Sequence, residues 1–183
     1  MAPSYMIDAL YILLLLAALM DIWLLRIANF FPVAIVILFC GWVYSCGFDR
    51  ALWQNVAMFG ATLAGATFLF SRGWFGGGDA KLLAAIALWF DFTGGAAFFL
   101  YVSLGGALLA LTFMLLRRLL PPSLAEKHDI RALKARGPIP YGIAISAGAA
   151  LAILGGHVHP KPDSWRLLME QIHHQSTPGA SHA

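Results

Sequence analysis

What most constrains this chain is a series of apolar stretches close to the length of a bilayer crossing, joined by short polar turns. A helix needs roughly 20 mostly apolar residues to cross the hydrocarbon core, and stretches near that scale lie at 5–25, 30–48, 52–70, 80–92, 96–116 and 139–155. Composition points the same way: the 183 residues are 60% hydrophobic and 11% charged, with a mean hydropathy of +0.76. A water-soluble core of ordinary size cannot hide that much apolar surface. The expected fold class is therefore all-α, a polytopic membrane helix bundle of about six transmembrane helices with the lipid bilayer as its solvent. The first stretch has no basic residue before it and no small-residue cleavage site ahead of polar sequence, so it reads as a retained helix and not a signal peptide.

The formal net charge of +3 would suggest nucleic acid in a soluble protein; here the placement of charge matters more than its sum, and no nucleic-acid partner is expected. With six spans, Arg26, Arg72, Lys81, Arg117, Arg118, Lys127, Arg131, Lys134 and Arg136 fall on one side, against Arg50, Lys161 and Arg166 on the other. The positive-inside bias puts both termini outside and the basic side in the cytoplasm. The expected division is a six-helix membrane domain over 1–156, with a basic cytoplasmic connection at 117–137, and an outer tail over 157–183.

In the connection, Ser123 and Glu126 have capping-box spacing and precede Gly137 and Pro138, so a short helix is expected, with Lys127, Arg131 and Lys134 on a solvated face near anionic headgroups. In the tail, Trp165, Leu168, Met169 and Ile172 recur at helical spacing and predict a brief surface helix. Cys40 and Cys46 lack metal-ligand spacing and read as buried reduced thiols. His157 with His159, and His173 with His174, lack acidic or cysteine company and read as solvated, so no metal or cofactor is expected. No repeat, phosphate loop, dinucleotide fingerprint or serine-nucleophile motif is present.

Attention then falls on ionisable groups inside spans, which are costly unless they face a partner or water. Asp8 and Asp21 lie on the first helix, roughly 20 Å apart along its axis, and so at opposite faces. Counting spans puts Asp21 at the inner end of helix one and Asp79 at the inner start of helix four, whereas Asp8, Asp49 and Asp91 fall outside. Two carboxylates at one depth in a poorly hydrated site share a proton: the charged member can take a proton from water while the protonated one polarises a carbonyl.

Asp79 follows Gly73, Trp74, Phe75, Gly76, Gly77 and Gly78 and precedes Ala80 and Lys81. The three adjacent glycines permit close backbone approach by a substrate strand. The apolar run after Asp79 is short for a span, which suggests that the glycine segment dips into a protein-lined, wetted cavity. The plainer alternatives are that Asp79 is an N-cap for helix four and that Asp21 is an interfacial acid paired with Arg26.

These residues resemble the type IV prepilin peptidase family, in particular the short forms associated with Flp-type pili, across nearly all of the membrane portion. Asp21, Arg26, Ile27 and Asn29 match the family's first-aspartate motif, with Ala28 where proline is usual. Asn29 can still stabilise the turn or cap helix two. Gly76, Gly78, Asp79 and Lys81 match the GxGD motif and its lysine, and Pro140, Tyr141 and Gly142 look like the family's entry to its last helix. The resemblance implies an aspartic endopeptidase of the bacterial inner membrane, acting at the cytoplasmic face. Its expected partner is a prepilin, a short basic leader followed by an apolar helix, cut after a glycine. Asp21 and Asp79 would be catalytic, with Gly76, Gly77, Gly78, Arg26 and Lys81 toward the substrate; for Lys81, headgroup contact is the competing role. The paired CxxC region that larger relatives use for methyl transfer has no counterpart here, so cleavage without methylation is expected. The rival reading is a noncatalytic scaffold or small proton-coupled transporter using the same aspartates. Oligomeric state is not legible.

Overall fold

A computed structural model describes residues 4–48, 50–119 and 140–158. Asp49, the helix expected around Ser123 and Glu126, and the tail with Trp165, Leu168, Met169, Ile172, His159, His173 and His174 lie outside the described residues.

Among the described residues there are six α-helices and no strand, only an isolated bridge between Phe90 and Val158. The helices are α1 (Ser4–Leu24), α2 (Phe30–Cys46), α3 (Leu52–Ser71), α4 (Gly77–Ala87), α5 (Phe92–Leu119) and α6 (Tyr141–Leu154). Tyr5–Leu24 and Phe92–Leu116 are long and apolar enough to cross a membrane, and Phe30–Cys46 and Tyr141–Leu154 are shorter apolar helices. Large apolar side chains point outward, among them Ile12, Leu15, Ile37, Leu104 and Leu108. In water such a surface would drive association; in lipid it is the expected exterior of a helical membrane bundle.

The short helix α4 lies innermost, packed on α2, α3 and α6, while α1 packs on α2 and α6 and α5 on α6 and α3. Its sequence explains the position. Ala80, Ala84, Ala85 and Ala87 keep its radius small, Leu82 and Ile86 fill the gaps, and all six are buried. With 11 residues it is only about 16 Å long, roughly half the hydrocarbon thickness, so the protein itself must meet both of its ends. At the C-terminal end the chain leaves the helix in a tight turn, Trp89 N–H donating to Ile86 and Phe90 N–H to Ala87. The fully buried Asn55 of α3 donates to the Leu88 carbonyl at 2.9 Å, and the Trp89 indole N–H donates to Ile35 of α2 at 3.4 Å. Around this turn Trp89 packs against Phe39 and Trp42, and Phe90 stacks on Phe98.

Two boundaries differ from the sequence reading for identifiable reasons. The stretch expected as one span over 80–92 is a helix ending at Ala87 plus this buried turn. Helix α5 starts at Phe92, earlier than the expected 96, because Asp91 Oδ1 accepts the Gly94 N–H at 2.7 Å and caps it. Gly94 and Gly95 look like breakers but are packing residues: a Cβ on Gly94 would come 2.5 Å from the His157 carbonyl oxygen, and Gly95 seats Met58.

At the other end of the bundle, α1 closes with the Leu25 N–H donating to the Asp21 carbonyl at 2.9 Å. Leu25 has φ of 51°, the left-handed position usually given to glycine. Holding a leucine there stores about 1–3 kcal/mol of strain and turns the chain sharply toward α2. Pro32 sits in the first turn of α2, where a missing N–H is harmless.

Candidate active site

Asp21 lies on the last turn of α1 and is 4% exposed. Its Oδ2 accepts the backbone N–H of Gly142 at 2.7 Å. Gly142 is the second residue of α6, so the carboxylate sits at a helix N-terminus, where unpaired N–H groups and the helix dipole favour an acid. The bond runs to α6 and not to Arg26, so the plainer interfacial pairing is not what the fold uses. It also demands glycine: a Cβ on Gly142 would lie 2.8 Å from Asp21 Oδ2 and 3.0 Å from Ile27 Cδ1.

Asp79 is in the first turn of α4. The N-cap position belongs to Gly76, with ψ of 138°, and Asp79 stands three residues further on. The N-cap role considered for Asp79 is therefore taken by its neighbour. The carboxylate folds back over Gly76, where a Cβ would come 2.5 Å from Asp79 Oδ2. Gly77 faces the Phe70 ring, and a Cβ on Gly78 would come 3.1–3.4 Å from the backbone and Cβ of Ile27. The glycines read from sequence as room for a substrate strand thus also have packing reasons within the chain.

Asp21 and Asp79 line one cavity of about 520 Å³. One wall is Leu25, Arg26 and Ile27, another is the 73–78 segment with both Trp74 and Phe75, and Tyr141 of α6 forms a third. Asp8 and Asp91 belong to the opposite end of the bundle, at the start of α1 and beyond the end of α4.

Arg26 is exposed and lines the cavity. Lys81 is not among the lining residues; its Nζ donates to Asn29 Oδ1 at 2.9 Å. That contact also settles Asn29, which holds the N-cap position of α2 without a side-chain capping bond and ties the α1–α2 turn to α4 instead. Ile27, Tyr141 and Gly142 entered the sequence reading only as members of the resembled motifs, with no role at the site. A glycine at the second position of a helix is the signal that could have pointed to Gly142, since it is a poor helix former and implies close approach.

The arrangement offers two acids lining one partly enclosed cavity, with Gly76, Gly77 and Gly78 on its wall. Such a pair can activate water on one carboxylate and polarise a carbonyl on the other. The profile of the type IV leader peptidase family matches residues 9–111, a stretch that holds both aspartates, Ile27 and Lys81 but ends before Tyr141 and Gly142. No curated protein and no solved structure matches the chain.

Proposed function

This chain belongs to the type IV leader peptidase family, and from that premise we propose that it is a membrane-embedded aspartic endopeptidase removing the short leader of Flp-type prepilins. The observation that carries the reading is the common cavity of Asp21 and Asp79. In the proposed reaction an ionised carboxylate takes a proton from water, whose oxygen attacks the scissile carbonyl carbon. The protonated partner donates a hydrogen bond to the carbonyl oxygen as negative charge develops there. Collapse of the tetrahedral intermediate breaks the C–N bond and a proton passes to the leaving amine. The leader departs with a new carboxylate and the mature pilin with a new amino terminus.

Gly142 holds the Asp21 carboxylate in one orientation. Gly76 and Gly77, on the cavity wall, leave room for an extended segment ending in glycine. Arg26, exposed at the cavity, and Lys81, through the Asn29 tie, set the shape of its rim. The membrane domain over 1–156 is the peptidase and 157–183 an outer tail. The enzyme resides in the bacterial inner membrane with the site at the cytoplasmic face, and it cuts without methyl transfer.

The test is co-expression with a candidate prepilin, reading the pilin's mass. The wild-type chain should shorten it by the leader, and Asp21→Asn and Asp79→Asn, still inserted, should leave it full length. Leader removal at the wild-type rate by either variant contradicts the proposal. A scaffold or transporter would leave the precursor intact even with the wild-type chain.

A further inference from the structure

Ile27 lies between the two glycines that adjoin the aspartates. Toward α4, a Cβ on Gly78 would come 3.1 Å from Ile27 Cβ, 3.1 Å from its carbonyl oxygen and 3.4 Å from its nitrogen. Toward α6, a Cβ on Gly142 would come 3.0 Å from Ile27 Cδ1. The residue therefore meets α4 with its backbone and Cβ, next to Asp79, and α6 with its far methyl, next to the N–H that holds Asp21. It is 9% exposed and lines the cavity. Its place along the chain is fixed from both sides, by the left-handed turn at Leu25 and by the Asn29 bond to Lys81 of α4.

We propose that Ile27 is a positioning residue, a wedge between the N-termini of α4 and α6 that sets the separation of the Asp21 and Asp79 carboxylates and so the space for the attacking water. The proposal rests on the catalytic reading above. A β-branched side chain is stiff about χ1, which suits a spacer. Neither glycine leaves room for a side chain against Ile27, so removing its outer atoms leaves a void the neighbours cannot fill without moving. The wedge touches no reacting atom, so its effect is on geometry in the transition state and not on substrate affinity.

The test uses the full chain purified and reconstituted in lipid, with a prepilin as substrate and rates normalised to folded enzyme. Ile27→Ala should lower kcat about 10- to 100-fold while KM stays within about twofold, because misplacing reacting groups by an ångström costs about that much. Ile27→Val keeps the branch against Gly78 and loses only the methyl facing Gly142, and should fall about two- to fivefold in kcat at unchanged KM. A wild-type kcat in Ile27→Ala overturns the proposal, and so does a wild-type kcat in Ile27→Val should the alanine variant not fold. A second readout needs no catalysis: spin labels on Trp23→Cys and Trp74→Cys, with Cys40 and Cys46 replaced by alanine. Ile27→Ala should shift or broaden their distance distribution, and an unchanged distribution overturns the wedge. Should Asp79→Asn still cleave, the catalytic reading fails and the spin-label distances judge the wedge alone. Should Asp79→Asn be inactive and Ile27→Ala behave as wild type, the wedge fails and the catalytic reading stands.

Discussion

A methyl group on Gly142 would collide with the carboxylate it is meant to hold, at 2.8 Å from Asp21 Oδ2 and 3.1 Å from Asp21 Cβ. The packed Ile27 Cδ1 stands 3.0 Å from the same methyl, so the Asp21 side chain must shift to admit it. Gly142→Ala is expected to lower kcat about 100-fold by displacing Asp21 and to cost about 1–3 kcal/mol of stability from overpacking, read by cleavage kinetics and by thermal melting of the detergent-solubilised chain. Wild-type kcat in that variant would mean that the N–H bond does not position the acid. The two aspartates were legible because an ionisable group inside an apolar span stands out by its chemistry. Gly142 and Ile27 stood there only as motif members, and their roles were not legible, because a glycine near a helix start and an isoleucine in an apolar protein are each ordinary until their neighbours across the bundle are known. Asn29 was read from its local position as stabilising the turn or capping α2, and its oxygen is taken by a lysine 52 positions along the chain.

Helix α4 gathers these effects at the scale of an element. Hydropathy alone runs on through Leu88, Trp89 and Phe90, so the sequence reading extended the span to 92; the helix stops at Ala87 because Asn55, Ile35 and the aromatic cluster receive the chain there. The stop is set by groups on α2 and α3, which no local pattern contains. The expected consequence is that Asn55→Ala destabilises the protein by about 1–3 kcal/mol by leaving the buried Leu88 carbonyl without this donor. It should do so with kcat of the folded fraction within about twofold of wild type, since the substitution lies at the end of α4 remote from Asp79. Melting together with single-turnover cleavage separates the two, and unchanged stability would contradict this account of the α4 terminus. Similarly, Asp91 was noticed as one more acid and proves to be the α5 cap, a role that follows from its backbone neighbours and not from its depth.

Across the whole molecule, the bundle is unlike at its two ends. Trp42, Trp89, Phe90 and Phe98 are 2% exposed or less and fill the end where Asp91 caps α5, while the end with Leu25, Gly76 and Tyr141 carries the cavity. The helical class and the number of helices among the described residues were readable from hydropathy because lipid requires every backbone group of a span to be satisfied within it. Which helices touch was not readable, because apolar exteriors and apolar interiors look alike in such a sequence. The account stands on Asp21 and Asp79 opening to the same compartment. Its most direct test replaces each by cysteine, singly, in a chain with Cys40 and Cys46 changed to alanine, and treats sealed vesicles of both orientations with a small, charged, membrane-impermeant methanethiosulfonate. Both cysteines should react in vesicles that expose the cytoplasmic face and be protected in the opposite orientation; reaction of the two from opposite sides would contradict the account.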